Sequence, residues 1–480
     1  MSRLTRAQML ALLLASAAPG RATPDSADPA ALPDRFPPPA PPADTSAFGA
    51  GIQRTMTLLA TSTPQKRHRV RVLFYGQSIT AQDWTRSVEE DLRRRFPHAD
   101  LTVENRAIGG FAAQRLVNSA ETDLYPFYPD LVIFHVYGDH NQYEKILRRT
   151  RERTTAEILV QTDHVTRDAD LTEETDPAKI KISGETWNEF MNFVHIPRVA
   201  KAVGAEVADL RSAWKAYLRA NKLPAKALLS DSVHLNAHGC FLMAELIKPY
   251  LRYRPDHPKT AWQGLVRDEK PVWKNGVLTL EFEGNRVDLL AAPGAAAAAA
   301  AEIRIDGRRP SQFPELYAAT RATAYPGTPW PVVMKTGYAK PRVQEEWTLR
   351  VTEADEAKNR AAFTLEGSVT GPDGSGVSTE PFVSKSGRVV IEPADWSLDF
   401  GFNHTKTPLP AGFTVRWKVV PLYADVYRAP ANAADPAREY PVTVAQGLPG
   451  RKHTLEVVAP KGTEPPALAT VRVYRPPLLP

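Results

Sequence analysis

The hydrophobic period of this chain changes once, near residue 262, and that change constrains the fold more than any other feature. Between about residue 50 and residue 261, short apolar runs alternate with amphipathic stretches. Residues 70–75, 101–105, 130–137, 156–160 and 205–209 read as strands, with helical patterns such as 84–95 and 196–203 between them. Such alternation implies parallel strands joined by crossover helices that cover both faces. Residues 50–261 are therefore expected to form a three-layer α/β domain. After 262 the helical period disappears. Residues 276–283, 346–351, 362–366, 387–392, 412–420, 453–458 and 469–474 alternate apolar with polar side chains between Gly, Pro and Asp breaks. That period of two belongs to half-buried antiparallel strands, so residues 262–480 are expected to form an all-β sandwich. The seven alanines at 295–301 fall between two strand patterns and are expected to be a loop insertion.

The N-terminus has a different character. Arg3 and Arg6 precede the apolar run 8–18, and small residues follow to Ala22. This is the layout of a bacterial-type signal peptide, so residues 1–22 are expected to be removed and the protein exported to the periplasm or the extracellular space. Residues 23–49, rich in Pro, Ala and Asp, are expected to be a linker. No second apolar run reaches about 18 residues, so stable membrane association is not expected. Sixty Lys and Arg against 54 Asp and Glu leave a net charge of +6 over 480 residues, too dilute to imply nucleic acid. The basic runs 93–95 and 148–153 read as solvated helix faces. One cysteine, Cys240, excludes an internal disulfide and a multi-thiolate metal site.

The first strand runs into Tyr75-Gly76-Gln77-Ser78. A glycine there permits a sharp turn and places Ser78 before the next helix, at the carboxyl edge of the sheet. Backbone N–H groups at that position can meet a developing oxyanion, although an ordinary capping serine would occupy the same place. Far along the chain stands Asp231-Ser-Val-His234. An Asp three residues before a His can orient the imidazole through one nitrogen and leave the other to take a proton from a serine. The alternative is an Asp that caps a turn beside a surface His. A serine near the start of the domain together with Asp-x-x-His near its end favours the chemical reading. Asp163 and His164 follow the fourth strand at the same edge, where ligands collect in open α/β sheets, and are candidate substrate contacts. Trp187, Asn188 and His195 are weaker ones. With no His-Glu-x-x-His and no Cys pair, neither a metal nor another cofactor is expected.

Four blocks, Gly76-Gln-Ser78, Asn105-Arg-Ala-Ile-Gly109-Gly110, Tyr137-Gly138-Asp-His140-Asn141 and Asp231-Ser-Val-His234, occur in an order and spacing that resemble the SGNH or GDSL hydrolases. The resemblance covers most of residues 68–252. It implies a flavodoxin-like parallel sheet, Ser78 as nucleophile, His234 as general base and Asp231 as its orienting acid. It also implies an oxyanion hole built from the N–H groups of Ser78 and Gly110, with Gly109 as the alternative, and a side chain of the third block. Gln77 stands where the family usually has Asp; it keeps a hydrogen-bonding group and is a candidate substrate contact. In the third block an ungapped register puts His140 at the family's asparagine position with Asn141 next to it, and either side chain can donate a hydrogen bond. The function implied is that of an exported serine esterase removing O-acyl groups, most simply acetyl, from a carbohydrate or polysaccharide. An acylated carbohydrate is thus the expected partner, with no oligomeric state implied. The alternatives are a lipolytic esterase or thioesterase, and a catalytically inactive carbohydrate-binding surface protein.

Overall fold

The structure is a computed structural model that describes residues 36–183, 186–293, 295, 300–325, 328, 330–430 and 435–479. The expected signal peptide and residues 23–35 of the expected linker lie outside the described residues. Residues 36–41 have no regular secondary structure, and residues 42–480 form one compact unit. Within it, Phe48 stacks on Tyr250 with ring centroids 3.9 Å apart, so the end of the Pro-rich stretch is tied to the α/β layer.

The α/β part runs α1 (Gln53–Ala60), β1 (Arg69–Gly76), α2 (Trp84–Arg95), β2 (Asp100–Asn105), α3 (Ala113–Asp123), β3 (Leu131–His135), α4 (His140–Arg153), β4 (Glu157–Gln161), α5 (Ile196–Val203), β5 (Glu206–Ala208), α6 (Leu210–Ala220) and α7 (Ala237–Ile247). The five strands form one parallel sheet in the order β2-β1-β3-β4-β5. Successive side chains of a strand point to opposite faces, and β1 is apolar at both sets of positions. Val72 and Phe74 pack with Met56, Leu92, Trp214 and Leu242, from α1, α2, α6 and α7. Leu73 and Tyr75 pack with Leu116, Leu147 and Val199, from α3, α4 and α5. The near-continuous apolar run in β1 is therefore what places helices on both faces and makes the domain three-layered, as expected.

The β part contains the expected sandwich and adds a sheet to it. Pro441–Gln446, Arg286–Ala291, Leu468–Tyr474 and Val266–Glu269 form one sheet. Val426–Arg428, Ala300–Ile305, Lys452–Val458, Val277–Glu283 and Trp273–Lys274 form a second. The two share a core that includes Val287, Leu289, Ile303, Leu455, Val457 and Val471. The chain between Ile305 and Val426 leaves this sandwich and builds a six-stranded sheet around Thr414–Pro421, Glu345–Asp355 and Arg360–Gly367. Of the expected strand 387–392, only Val390–Ile391 is extended and paired. Among the seven alanines, Ala300 and Ala301 are strand and not loop: Ala301 is buried opposite Tyr427, where a small side chain accommodates a large one.

One apolar cluster continues from the α3–α5 face of the parallel sheet into the six-stranded sheet. Phe111 meets Phe400 edge-on at 5.1 Å, Arg115 pairs with Asp399, and Asn118 donates to Ala394 O at 3.0 Å. Arg321 grips the buried carboxylate of Asp123 at 2.9 and 2.7 Å and also donates to Arg106 O. Removing one partner of such a pair leaves a buried charge, so Arg321→Met is expected to destabilise the protein by about 3 kcal/mol in urea unfolding. A loss under about 1 kcal/mol would show that the pair behaves as a surface ion pair.

Candidate active site

The site begins with a steric demand. At the end of β1 a Cβ on Gly76 would lie 2.2 Å from both His135 O and Thr80 Oγ1, so only glycine lets the turn 77–80 fold over the end of β3. Gln77 then points inward: it is 3% exposed, and its Oε1 accepts the N–H of Tyr137 at 2.9 Å. The side-chain carbonyl of Gln77, expected among the substrate contacts, is engaged within the protein and ties the first block to the third. The next residue, Ser78, is half-buried and faces the other way.

Ser78 Oγ is 2.8 Å from His234 Nε2, and His234 Nδ1 is 2.7 Å from Asp231 Oδ2. The other carboxylate oxygen of Asp231 accepts the N–H groups of His234 at 2.7 Å and Val233 at 2.8 Å. Those two backbone donors, with the imidazole, bring the Asp231 carboxyl down to about 2. An ionised carboxylate only accepts, so Nδ1 carries the ring proton and Nε2 presents its lone pair to the Ser78 hydroxyl. His234 is 36% and Asp231 53% exposed, so a large substrate can reach the imidazole.

The loop that carries His234 is clamped by residues the sequence reading did not single out. Gln82 donates to Leu235 O at 2.8 Å and accepts from Leu235 N at 3.0 Å. Asn236 caps α7 through Gly239 N and donates to Ala227 O and Leu229 O. Only the cap had a local signal, an Asn three residues before a Gly at the start of an apolar helix. Gln82 had none.

The second block forms a turn beside Ser78: a Cβ on Gly109 would lie 3.7 Å from Ser78 Cβ. Gly110 has φ +74°, in the left-handed region, and a Cβ there would come 2.6 Å from the Phe400 ring. The helical turn Phe400–Thr405, which precedes the strand Thr414–Pro421, thus brings Phe400, with His404 stacked on it, against this glycine. Among the described residues, the N–H groups of Ser78, Gly109 and Gly110 have no backbone acceptor. The block is held in place by Asn105, which donates to Thr80 O at 2.6 Å.

In the third block Asp139 caps α4 by accepting from Gln142 N, which makes His140 the first helical residue. The His140 ring meets Phe190 and His195 edge-on, at 5.7 and 5.3 Å. His195 is buried, and burial first, then Arg198 and His140, bring it down to about 4. It is therefore neutral beside His140. Asn141 is exposed.

Asp163 and His164 do follow β4 at the carboxyl edge, but the His164 ring turns under the loop that carries His234 and is fully buried. Its Nε2 is 2.8 Å from Val233 O and its Nδ1 is 3.1 Å from Asp163 Oδ1. His135 Nε2 approaches the same Asp163 oxygen at 3.1 Å. His164 is therefore not a substrate contact, because both its ring nitrogens are taken by the protein. The Asp163 oxygen that the two imidazoles share is taken as well. The three side chains place one donor atom each within 4.8 Å of one another, the one such group of possible metal ligands among the described residues.

Neither a family model nor a curated protein matches the chain. Among solved structures it is similar to Axe2, an acetylxylan esterase from Geobacillus stearothermophilus, at 18% identity over 40% of this chain and 98% of that one, with a TM-score of 0.33. It is also similar to CEX, a two-domain esterase active on acetylated mannans and co-crystallized with mannopentaose, at 15% identity over 90% of this chain and 99% of that one, with a TM-score of 0.35.

Proposed function

We propose that the protein is an exported serine esterase that removes O-acyl groups, most simply acetyl, from a carbohydrate or polysaccharide. The observation that carries the esterase reading is the unbroken chain Ser78 Oγ to His234 Nε2 at 2.8 Å and His234 Nδ1 to Asp231 at 2.7 Å. Ser78 attacks the ester carbonyl while His234 Nε2 takes its proton. The carbonyl oxygen becomes an oxyanion, met by the N–H groups of Ser78 and Gly110 and by a side chain of the third block. His234 returns the proton to the leaving sugar hydroxyl. Water, deprotonated by the same nitrogen, then attacks the acyl-enzyme and releases the acid and Ser78. Asp231 remains an anion throughout and stabilises the imidazolium. The catalytic machinery belongs to residues 50–261, and the β part, residues 262–480, brings Phe400 and His404 to the oxyanion turn. The carbohydrate substrate is supported by the export signal, the appended β part and the four blocks.

Two measurements test this. A fluorophosphonate probe is expected to label Ser78, and acetate is expected to be released from acetylated xylan or mannan, with p-nitrophenyl acetate cleaved faster than longer-chain esters. Preference for long chains would favour the lipolytic alternative. An unlabelled Ser78 would leave the inactive carbohydrate-binding protein.

A further inference from the structure

Under the loop that carries His234 lie three buried or half-buried ionisable groups that the proposed chemistry does not use. His164 Nε2 is 2.8 Å from Val233 O, and a carbonyl oxygen can only accept, so Nε2 carries a proton. His164 Nδ1 is 3.1 Å from Asp163 Oδ1, and a carboxylate can only accept, so Nδ1 carries one too. Two acceptors on the two ring nitrogens require the doubly protonated, positively charged ring. His135 differs. Its Nε2 donates to Asp163, while its Nδ1 is buried with no partner among the described residues, which fits the neutral ring. We infer that His164 is an imidazolium ion paired with Asp163, and that this pair is a positioning device which holds the Val233 carbonyl and thereby keeps His234 against Ser78.

The surroundings are consistent with one positive and one negative charge. Asp163 also accepts its neighbour's backbone N–H at 3.0 Å, and its own N–H donates to Asn192 at 2.6 Å. Burial opposes its ionisation, but the hydrogen bonds it accepts from His135 and His164 outweigh burial and hold the carboxyl well below the usual range. From α6, Trp214 packs on the His164 ring at 5.6 Å and Arg211 donates to His164 O at 2.8 Å. Arg211 is itself paired with Glu173 and Asp170, and Lys215 with Glu173, so these charges are already balanced nearby. The loop 229–235 is held within itself by the Leu229–Leu235 bridge, by Ser230 N donating to His234 O at 2.8 Å and by the Asp231 carboxylate, which accepts from Val233 N and His234 N. Gln82 grips Leu235 on one side of His234, and His164 grips Val233 on the other. A charged donor makes the stronger grip, because charge-assisted hydrogen bonds are about twice as strong as neutral ones.

The positioning role presupposes the esterase chemistry proposed above, whereas the ion pair does not, so the test has two arms. In the full chain carrying nitrogen-15 histidine, the His164 signals are assigned by their loss in His164→Gln. Both ring nitrogens of His164 are expected to carry a proton, and Asp163→Asn is expected to abolish that signature. A singly protonated His164, or a metal-shifted spectrum with stoichiometric bound metal, would overturn the ion pair. In the activity arm, His164→Leu, which removes the donor, is expected to lower kcat by about 10²-fold with KM little changed, as for a displaced catalytic group, and Asp163→Asn, which leaves a neutral donor, by about tenfold. His164→Gln, whose amide can still donate to Val233 O, is expected to recover most of that loss. Unchanged kcat in either folded variant would overturn the positioning role. If His164→Leu does not fold, Asp163→Asn and the spectrum of the unaltered protein still decide. If the unaltered protein neither cleaves esters nor reacts with the fluorophosphonate probe, the esterase reading fails, and the positioning role with it, while the spectrum alone decides the ion pair.

Discussion

Ser78→Ala is expected to abolish ester hydrolysis, with kcat reduced about 10⁴-fold or more, and to leave folding almost untouched. Among the described residues the Ser78 hydroxyl has one hydrogen-bond partner, His234 Nε2, and the residue is half-buried, so its removal opens no large cavity. What is lost is the proposed nucleophile. His234 would then have only water to activate, and the oxyanion donors alone would supply the remaining rate. The check is kcat on p-nitrophenyl acetate alongside the unfolding midpoint by circular dichroism. Activity within about tenfold of the unaltered protein, a barrier change of only ~1.4 kcal/mol, would remove Ser78 from the mechanism.

The second large effect concerns the oxyanion. His140→Ala is expected to lower kcat by about 10²-fold, the cost of one lost donor, with a much smaller effect for Asn141→Ala. A donor contributes most when it is held before the charge develops. The His140 ring is held, edge-on to Phe190 and His195, at the first turn of a capped helix. His195 is neutral beside it, so the two rings do not repel. Asn141 is exposed. Steady-state kinetics of both variants decide the matter. The reverse ranking would assign the donor to Asn141, and no effect in either would leave an oxyanion hole made of backbone groups.

Much of this fold was legible because it depends on near neighbours along the chain. The apolar positions of β1 on both faces demand two helical layers, and the switch to a period of two after residue 262 demands antiparallel sheet. The Asp231–His234 geometry is local too: residues three apart in a tight turn place carboxylate and imidazole 2.7 Å apart. That Ser78 lies at their other end, across 156 residues, was inferred from four short blocks together and is made by the fold. The turn after β1 and the loop before α7 meet at one edge of the parallel sheet.

What the sequence could not show is where side chains turn once they reach that edge. Gln77 and His164 were both expected to face substrate. The first is drawn in by the Tyr137 N–H and the second by Val233 O, partners 60 and 69 residues away. Gln82 and Phe400 had no local signal, because a clamp on Leu235 and a ring against Gly110 are properties of the assembled molecule. The six-stranded sheet inserted in the sandwich escaped notice for a related reason: its strands have the same period of two as their neighbours, and only pairing assigns a strand to a sheet. By itself the sequence determined the layers, the order of the strands along the chain and the local Asp-His turn, since hydrophobic period and short-range hydrogen bonds follow from adjacent residues. The tertiary structure decided which buried polar groups find each other, since a buried donor or acceptor must be satisfied by whatever partner packing brings within reach.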